Sequence, residues 1–346
     1  MLFSRRVLKS GQRRYELFHY FHPKSTPLLY RILKVYVRFS LFFFCRQLRI
    51  NKPDLLKTQG PLLLACNHPN SFLDAIILDV LFQEPLWSLA RGDAFRSPRI
   101  RDLFRRLKIM PVYRTSEGVE NLSENYNTFN ACIDLFRNNG QVIIFSEGKC
   151  INEWHLRPLK KGTARLAIQA WEQEIPLRVL PVAVNYSSYR RFGKNVFLHF
   201  GDMIHREDID LSQPDGIRNQ SFNQQLRTEL ETGVFEIPTG DRQLQEELLV
   251  VPQSLPVQIL LALPALAGFL FHFPMYCMIK LATRKLQDSD HYDSIVTGLL
   301  LFFYPFYLLA LVIFSCYWFG TPGVLALFII PLCGRAAMQL KPQLDK

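Results

Sequence analysis

Six positions separate His68 from Asp74 in the run Asn67-His68-Pro69-Asn70-Ser71-Phe72-Leu73-Asp74. A histidine beside a carboxylate can act as a base: the carboxylate holds one imidazole nitrogen as a donor, leaving the other to take a proton from a hydroxyl. Spacing alone does not choose this use, because a capping or core histidine followed by an aspartate is the commoner arrangement. Three further groups narrow the choice. Arg114 ends the apolar run Ile109–Tyr113. The turn Ser146-Glu147-Gly148-Lys149 follows the run Gln141–Phe145. Lys160 and Lys161 open a helical pattern. Gathered round one cleft, they would set a base and a carboxylate beside cations suited to a phosphate, arginine as a bidentate partner and lysine as a point charge.

Such groups need strands to present them. Apolar runs at 61–66, 86–90, 109–113, 141–145, 178–184 and 196–200 read as buried strands, and the segments 71–82, 99–108, 121–139 and 161–171 between them read as helices. Gly140 is a plausible stop before its strand. This alternation predicts an α/β fold with a mostly parallel or mixed sheet flanked by helices. In such sheets reacting groups gather beyond the carboxyl ends of strands, which is where His68, Arg114 and Glu147 lie. No GxSxG elbow appears, which disfavours a conventional serine hydrolase.

The net charge of +11 is unevenly distributed. Residues 1–50 carry 11 Lys/Arg against Glu16 alone, whereas 51–250 carry 24 against 25 and 251–346 carry 6 against 4. A basic block of this kind binds nucleic acid or an anionic membrane. Hydropathy favours the membrane. Residues 251–279 and 294–334 contain no Asp, Glu, Lys or Arg, and about 20 apolar residues suffice to span a bilayer. Pro256, Pro264 and Pro274 predict an irregular first helix, even a hairpin dipping into the bilayer, and Gly320-Thr321-Pro322-Gly323 divides the second stretch. Two or three membrane segments follow. Upstream, Arg31, Lys34 and Arg38 form a basic stripe on an aromatic helix over 28–45, fit for an anionic interface or for packing on the domain behind it. The seven dispersed cysteines read as reduced, mostly buried thiols.

The order of motifs resembles the glycerophospholipid acyltransferase family, the lysophosphatidic acid acyltransferase-like enzymes. There a histidine–aspartate block, an arginine-ended strand, a Phe-Pro-Glu-Gly block and a Val-Pro-Val strand follow one another, matched here by Asn67–Asp74, Met110–Arg114, Phe145–Gly148 and Leu180–Val184. The resemblance covers roughly residues 28–205. It implies transfer of a fatty acyl group from acyl-CoA or acyl carrier protein to a lysophospholipid hydroxyl, with 1-acylglycerol 3-phosphate as the expected acceptor. Glycerol 3-phosphate or an amino-acid lysolipid would use the same base. His68 would be the general base and Asp74 its orienter, with Arg114, Glu147, Gly148, Lys149 and Lys161 at the acceptor. No bound metal or cofactor is implied. A membrane-anchored lipid-binding protein without activity is the alternative of another class.

The chain departs from the family in three places. Five residues stand between His68 and Asp74 instead of four; within one helix the extra residue would turn Asp74 by about 100°, unless the turn before the helix absorbs it. Ser146 replaces the proline, and Lys149 and Cys150 replace a threonine and an arginine. The expected organisation is a basic membrane-docking arm (1–50), an acyltransferase domain (51–235), a linker (236–250) and a hydrophobic membrane region (251–346) with two or three membrane segments, which lies outside the stretch of the resemblance. The expected partners are an anionic membrane, the lysolipid and the acyl donor, with no nucleic acid. The positive-inside rule puts the catalytic domain of this integral protein on the cytoplasmic side.

Overall fold

The computed structural model describes residues 26–113 and 122–345. Seven strands form one sheet in the order β1-β7-β6-β2-β5-β3-β4: β1 (Cys45–Ile50), β2 (Leu62–Cys66), β3 (Leu86–Arg91), β4 (Ile109–Val112), β5 (Gln141–Phe145), β6 (Arg178–Tyr186) and β7 (Lys194–Phe200). Only β6 and β7 pair antiparallel; the other neighbours are parallel. The fold is therefore α/β with a mixed sheet, as the alternation predicts. The central strand β2, Leu-Leu-Leu-Ala-Cys, is buried along its whole length, as a parallel strand covered on both faces requires.

Helices cover both faces. One face packs α4 (Leu122–Arg137), α5 (Lys161–Glu172) and α6 (Asp215–Glu231) over Leu63, Ala65, Val142 and Ile144. The other packs α1 (Leu28–Phe44) and α2 (Ser71–Leu81) over Leu62, Leu64, Cys66 and Ile143. The alternation of Leu62-Leu63-Leu64-Ala65 between the two cores is the two-residue period of a strand. Trp171, Tyr186, Phe44 and Phe222 are among the largest fully buried side chains, each stabilising the fold by about 2–3 kcal/mol through apolar burial. A short α3 (Pro98–Arg106) precedes β4.

Two parts of the expected organisation change. β1 joins the sheet edge through β7, so the sheet begins inside the segment read as an arm. Its sequence, Cys-Arg-Gln-Leu-Arg-Ile, has too few apolar residues to read as a strand; an edge position buries less of it. The expected linker holds α7 (Arg242–Leu249), whose Leu249 packs with Phe197, Ile237, Val251 and Leu344.

Three helices of the C-terminal third are long and apolar enough to cross a membrane: α8 (Leu255–Ala282), α9 (Tyr292–Phe319) and the stretch Thr321–Leu340 ending in α10 (Ala326–Leu340). Their outer faces are bare, with Leu260 75% and Tyr317 81% exposed, a surface water would penalise heavily. Pro264 and Pro274 lie inside α8. Gln253, just before it, donates to Gln339 (2.6 Å), and Lys341 sits 5.1 Å from the Tyr276 ring. A straight helix would part residues 255 and 276 by about 32 Å, so α8 is bent, and its internal prolines supply the breaks. On α1, Lys34 leaves the expected basic stripe, turning inward to Asp79 (3.7 Å) and the carbonyl of Glu84. Val35, Phe39 and Phe42 stay exposed.

Candidate active site

β2 and β5 pair in register, Cys66 beside Phe145. Two residues beyond each partner stand His68 and Glu147, so the parallel register brings the two loops together. The His68 Nδ1 lies 2.9 Å from Asp74 Oδ2. Asp74 is fully buried. Its carboxylate also accepts the Asn70 N–H (2.9 Å) and the Tyr186 hydroxyl (2.7 Å), and it sits in the first turn of α2, where the helix dipole favours a negative charge. Burial next to that carboxylate drives the Tyr186 phenol well above its ordinary range, so it remains a donor. With the carboxylate fixed as acceptor, Nδ1 carries the proton and Nε2 keeps its lone pair. The Phe145 ring stacks beneath the imidazole at 3.9 Å and 14°, fixing its plane.

The extra residue between His68 and Asp74 is absorbed before the helix. Ser71 takes φ +52°, a left-handed conformation unusual for a non-glycine residue, and α2 starts there. Asp74 thus lies one turn inside α2 while His68 stays in the loop, and no 100° rotation arises.

Glu147 is buried behind the two loops. Its carboxylate accepts the His68 N–H (2.8 Å) and the Arg157 N–H (2.9 Å) and pairs with the Arg157 guanidinium (3.3 Å). It ties the two loops together. Gly148, at φ +69°, makes the tight turn; a Cβ there would stand 3.1 Å from Lys160 Cγ. Arg114 lies outside the described residues. Cys150, where the family has arginine, is buried; it accepts the Ser71 N–H (2.9 Å), and burial pushes its thiol up to about 12.

A cavity of about 1720 Å³ opens at the pair. Its lining includes His68, Ser146, Gly148, Lys149, Lys161 and Arg165 together with apolar groups such as Leu33, Val37, Phe72, Ile76 and Val80 from α1 and α2. Asp290 and His291, from the loop between α8 and α9, complete the wall. Sequence reasoning missed Tyr186, Arg157, Arg165 and this loop. Arg165 had a signal, four residues after Lys161 and so on the same helix face. Nothing local marked the others.

Chemically, the arrangement can take a proton from a hydroxyl held at the His68 Nε2, in a cavity lined by both cations and apolar side chains. Residues 47–185 match the Acyltransferase family model. Among solved structures, the chain is similar to the crystal structure of the 1-acyl-sn-glycerophosphate (LPA) acyltransferase, PlsC, from Thermotoga maritima, at 14% identity and a TM-score of 0.42, over 64% of this chain and 86% of that one. No curated protein matches. The matched stretch holds β2 through β5, most of β6 and every residue from His68 to Glu147, and over it this chain is similar to the acyltransferases that the family model describes.

Proposed function

We propose that the protein moves a fatty acyl group from a thioester, acyl-CoA or acyl-carrier-protein bound, to a lysophospholipid hydroxyl, with 1-acylglycerol 3-phosphate as the acceptor. His68 Nε2 takes the hydroxyl proton as oxygen attacks the thioester carbonyl. Asp74 holds Nδ1–H and stabilises the imidazolium that forms, and the proton then passes to the departing thiolate. Lys149, Lys161 and Arg165 suit an acceptor phosphate, and the apolar side chains of the same lining suit an acyl chain. Gly148 shapes their turn; Glu147 serves behind the site, holding the His68 backbone. Arg114 remains the candidate for a further phosphate contact.

The observation that carries this reading is one cavity joining a buried-carboxylate-oriented histidine, a group of cations and apolar side chains. Three apolar helices and the bare face of α1 support delivery of the acceptor from a membrane, with the catalytic domain on the cytoplasmic side. The test is ester formation by purified full-length protein across a panel of lysophosphatidic acid, glycerol 3-phosphate, neutral lysolipids and amino-acid lysolipids, each with both donors. Thioester consumption should be fastest with lysophosphatidic acid and absent in His68→Ala. Equal background turnover by both proteins on every acceptor would sink the enzyme reading and leave a lipid-binding protein.

A further inference from the structure

The turn between His68 and Asp74 is held by more than its own bonds, the Asn70 N–H to Asp74 and the Leu73 N–H to the Asn70 carbonyl. Asn70 stands at the N-cap of α2 but makes no side-chain capping bond. Its side chain instead donates to Asp293 Oδ2 (2.7 Å), at the start of α9. Ser294 Oγ donates to the Asn70 carbonyl (2.7 Å) and accepts the Leu73 N–H (3.2 Å), so a helix 220 residues away supplies the cap that Asn70 does not. His291 Nδ1 lies 2.7 Å from Ser71 Oγ. Asp290 accepts from Asn152, which itself donates to the Pro69 carbonyl (2.7 Å). From Pro69 to Leu73, the turn is held through the segment 290–294.

That segment is anchored in the core of the catalytic domain. Asp293 forms an ion pair with Lys194 of β7, and both side chains are almost wholly buried. Two buried charges resist displacement because either one alone would be left without solvent or partner. Ser294 and Thr297, the next residues along this face of α9, are equally buried.

We propose that Asp293 and Ser294 are positioning residues for the His68–Asp74 pair, making the start of α9 part of the active site. Neither touches the reacting atoms. They set the backbone of the turn, and through it the distance and angle at which Asp74 meets the imidazole. Misplacement of a catalytic group by about 1 Å can cost on the order of a hundredfold in rate, so a cap lost at Ser294 should be read in turnover. The activity arm of the test rests on the acyl-transfer reading; the spectroscopic arm does not.

The experiment uses the full chain in lipid nanodiscs. Ser294→Ala should lower kcat about ten- to a hundredfold while KM for donor and acceptor stays within about threefold, and Ser294→Thr, which restores the hydroxyl, should recover most of it. Arg284→Ala, exposed in the loop between α8 and α9, should behave as wild type. Because Asp293→Asn leaves Lys194 unpaired and can unfold the protein, the pair is replaced together, Asp293→Leu with Lys194→Met; this variant should fold and show the same loss of kcat. Independently of turnover, ¹⁵N-histidine NMR reads the Nδ1–H of His68, assigned with His68→Gln. Its resonance should be sharp in wild type and Ser294→Thr and broadened in Ser294→Ala. Unchanged kcat and an unchanged resonance in Ser294→Ala would overturn the inference. Broadening in Ser294→Ala, with no turnover even in wild type, would support it and reject the acyl-transfer reading.

Discussion

His68 owes its orientation to three separate holds: the Asp74 carboxylate on its ring, the Phe145 ring beneath it and the Glu147 carboxylate on its backbone N–H. Each should fail differently. Asp74→Asn keeps the shape but offers an amide donor to Nδ1; the wrong tautomer should cut kcat about 10²- to 10⁴-fold, with little change in KM, as steady-state kinetics will show. Tyr186→Phe removes only one donor to a carboxylate that keeps two others, so a fall of tenfold or less in kcat is expected. Cys150 gives a contrasting case. Its thiol stands where the family has arginine, and burial and the nearby Asp74 keep it protonated. Iodoacetamide at pH 8 should leave Cys150 unmodified by peptide mass spectrometry in the folded protein.

Among the elements, the contact between α1 and the sheet edge carries an unusual set of charges. Lys108, at the end of the turn before β4, is buried against the rings of Trp87 (4.9 Å) and Tyr30 (5.5 Å), and burial lowers its ammonium to about 8. Tyr30 donates to Asp79 (2.5 Å), whose carboxyl burial raises. The unfolded chain holds the Lys108 proton up to the ordinary lysine range, whereas the folded chain releases it from about pH 8. Between those limits the unfolded state binds more protons, so this group's contribution to stability rises with pH. Below pH 8 the buried charge costs on the order of 2–3 kcal/mol. Buried Cys45 and Cys150, both pushed up to about 12, work in the opposite sense above pH 9. The difference between wild type and Lys108→Met isolates the lysine. The variant should be the more stable at pH 7, and its advantage should shrink towards pH 10 in denaturant titrations.

At the scale of the whole molecule, the chain leaves the catalytic domain at Val251 and touches it again at Asp290. Both ends of the bent α8 therefore lie on the catalytic side, whereas α9 leaves that side and α10 returns to bond Arg46 through Gln339. This geometry predicts two crossings and one segment that dips in and returns, although length and composition would allow three spans. Single cysteines introduced at Gln253, Arg284 and Thr321 of a chain lacking its native cysteines would test it. An impermeant maleimide on sealed vesicles should label the first two from one face and the third from the other. Labelling of 253 and 284 from opposite faces would make α8 a full span.

Local pattern carried a long way. The apolar runs Leu62–Cys66 and Val142–Phe145 are short and lie between helical patterns, which reads as covered strands, and a strand–helix alternation of that kind has few topologies open to it. His68 and Asp74 were legible from the order of the motif blocks that follow them and not from their spacing, and the uncharged C-terminal stretches because a run of that length has few soluble uses. β1 was missed because an edge strand need not be apolar, and the partners of Glu147 were not legible because a carboxylate's type says nothing of which way it turns. Tertiary structure alone decided that the His–Asp step is absorbed at Ser71, that Tyr186 completes the carboxylate's shell, and that the hydrophobic C-terminus caps the catalytic turn through Asp293 and Ser294. The physical reason is one of range. Periodicity records what a residue meets within a few positions along its own helix or strand, whereas these contacts join residues 112 to 224 positions apart, fixed only when the sheet register and the packing of α9 bring them together.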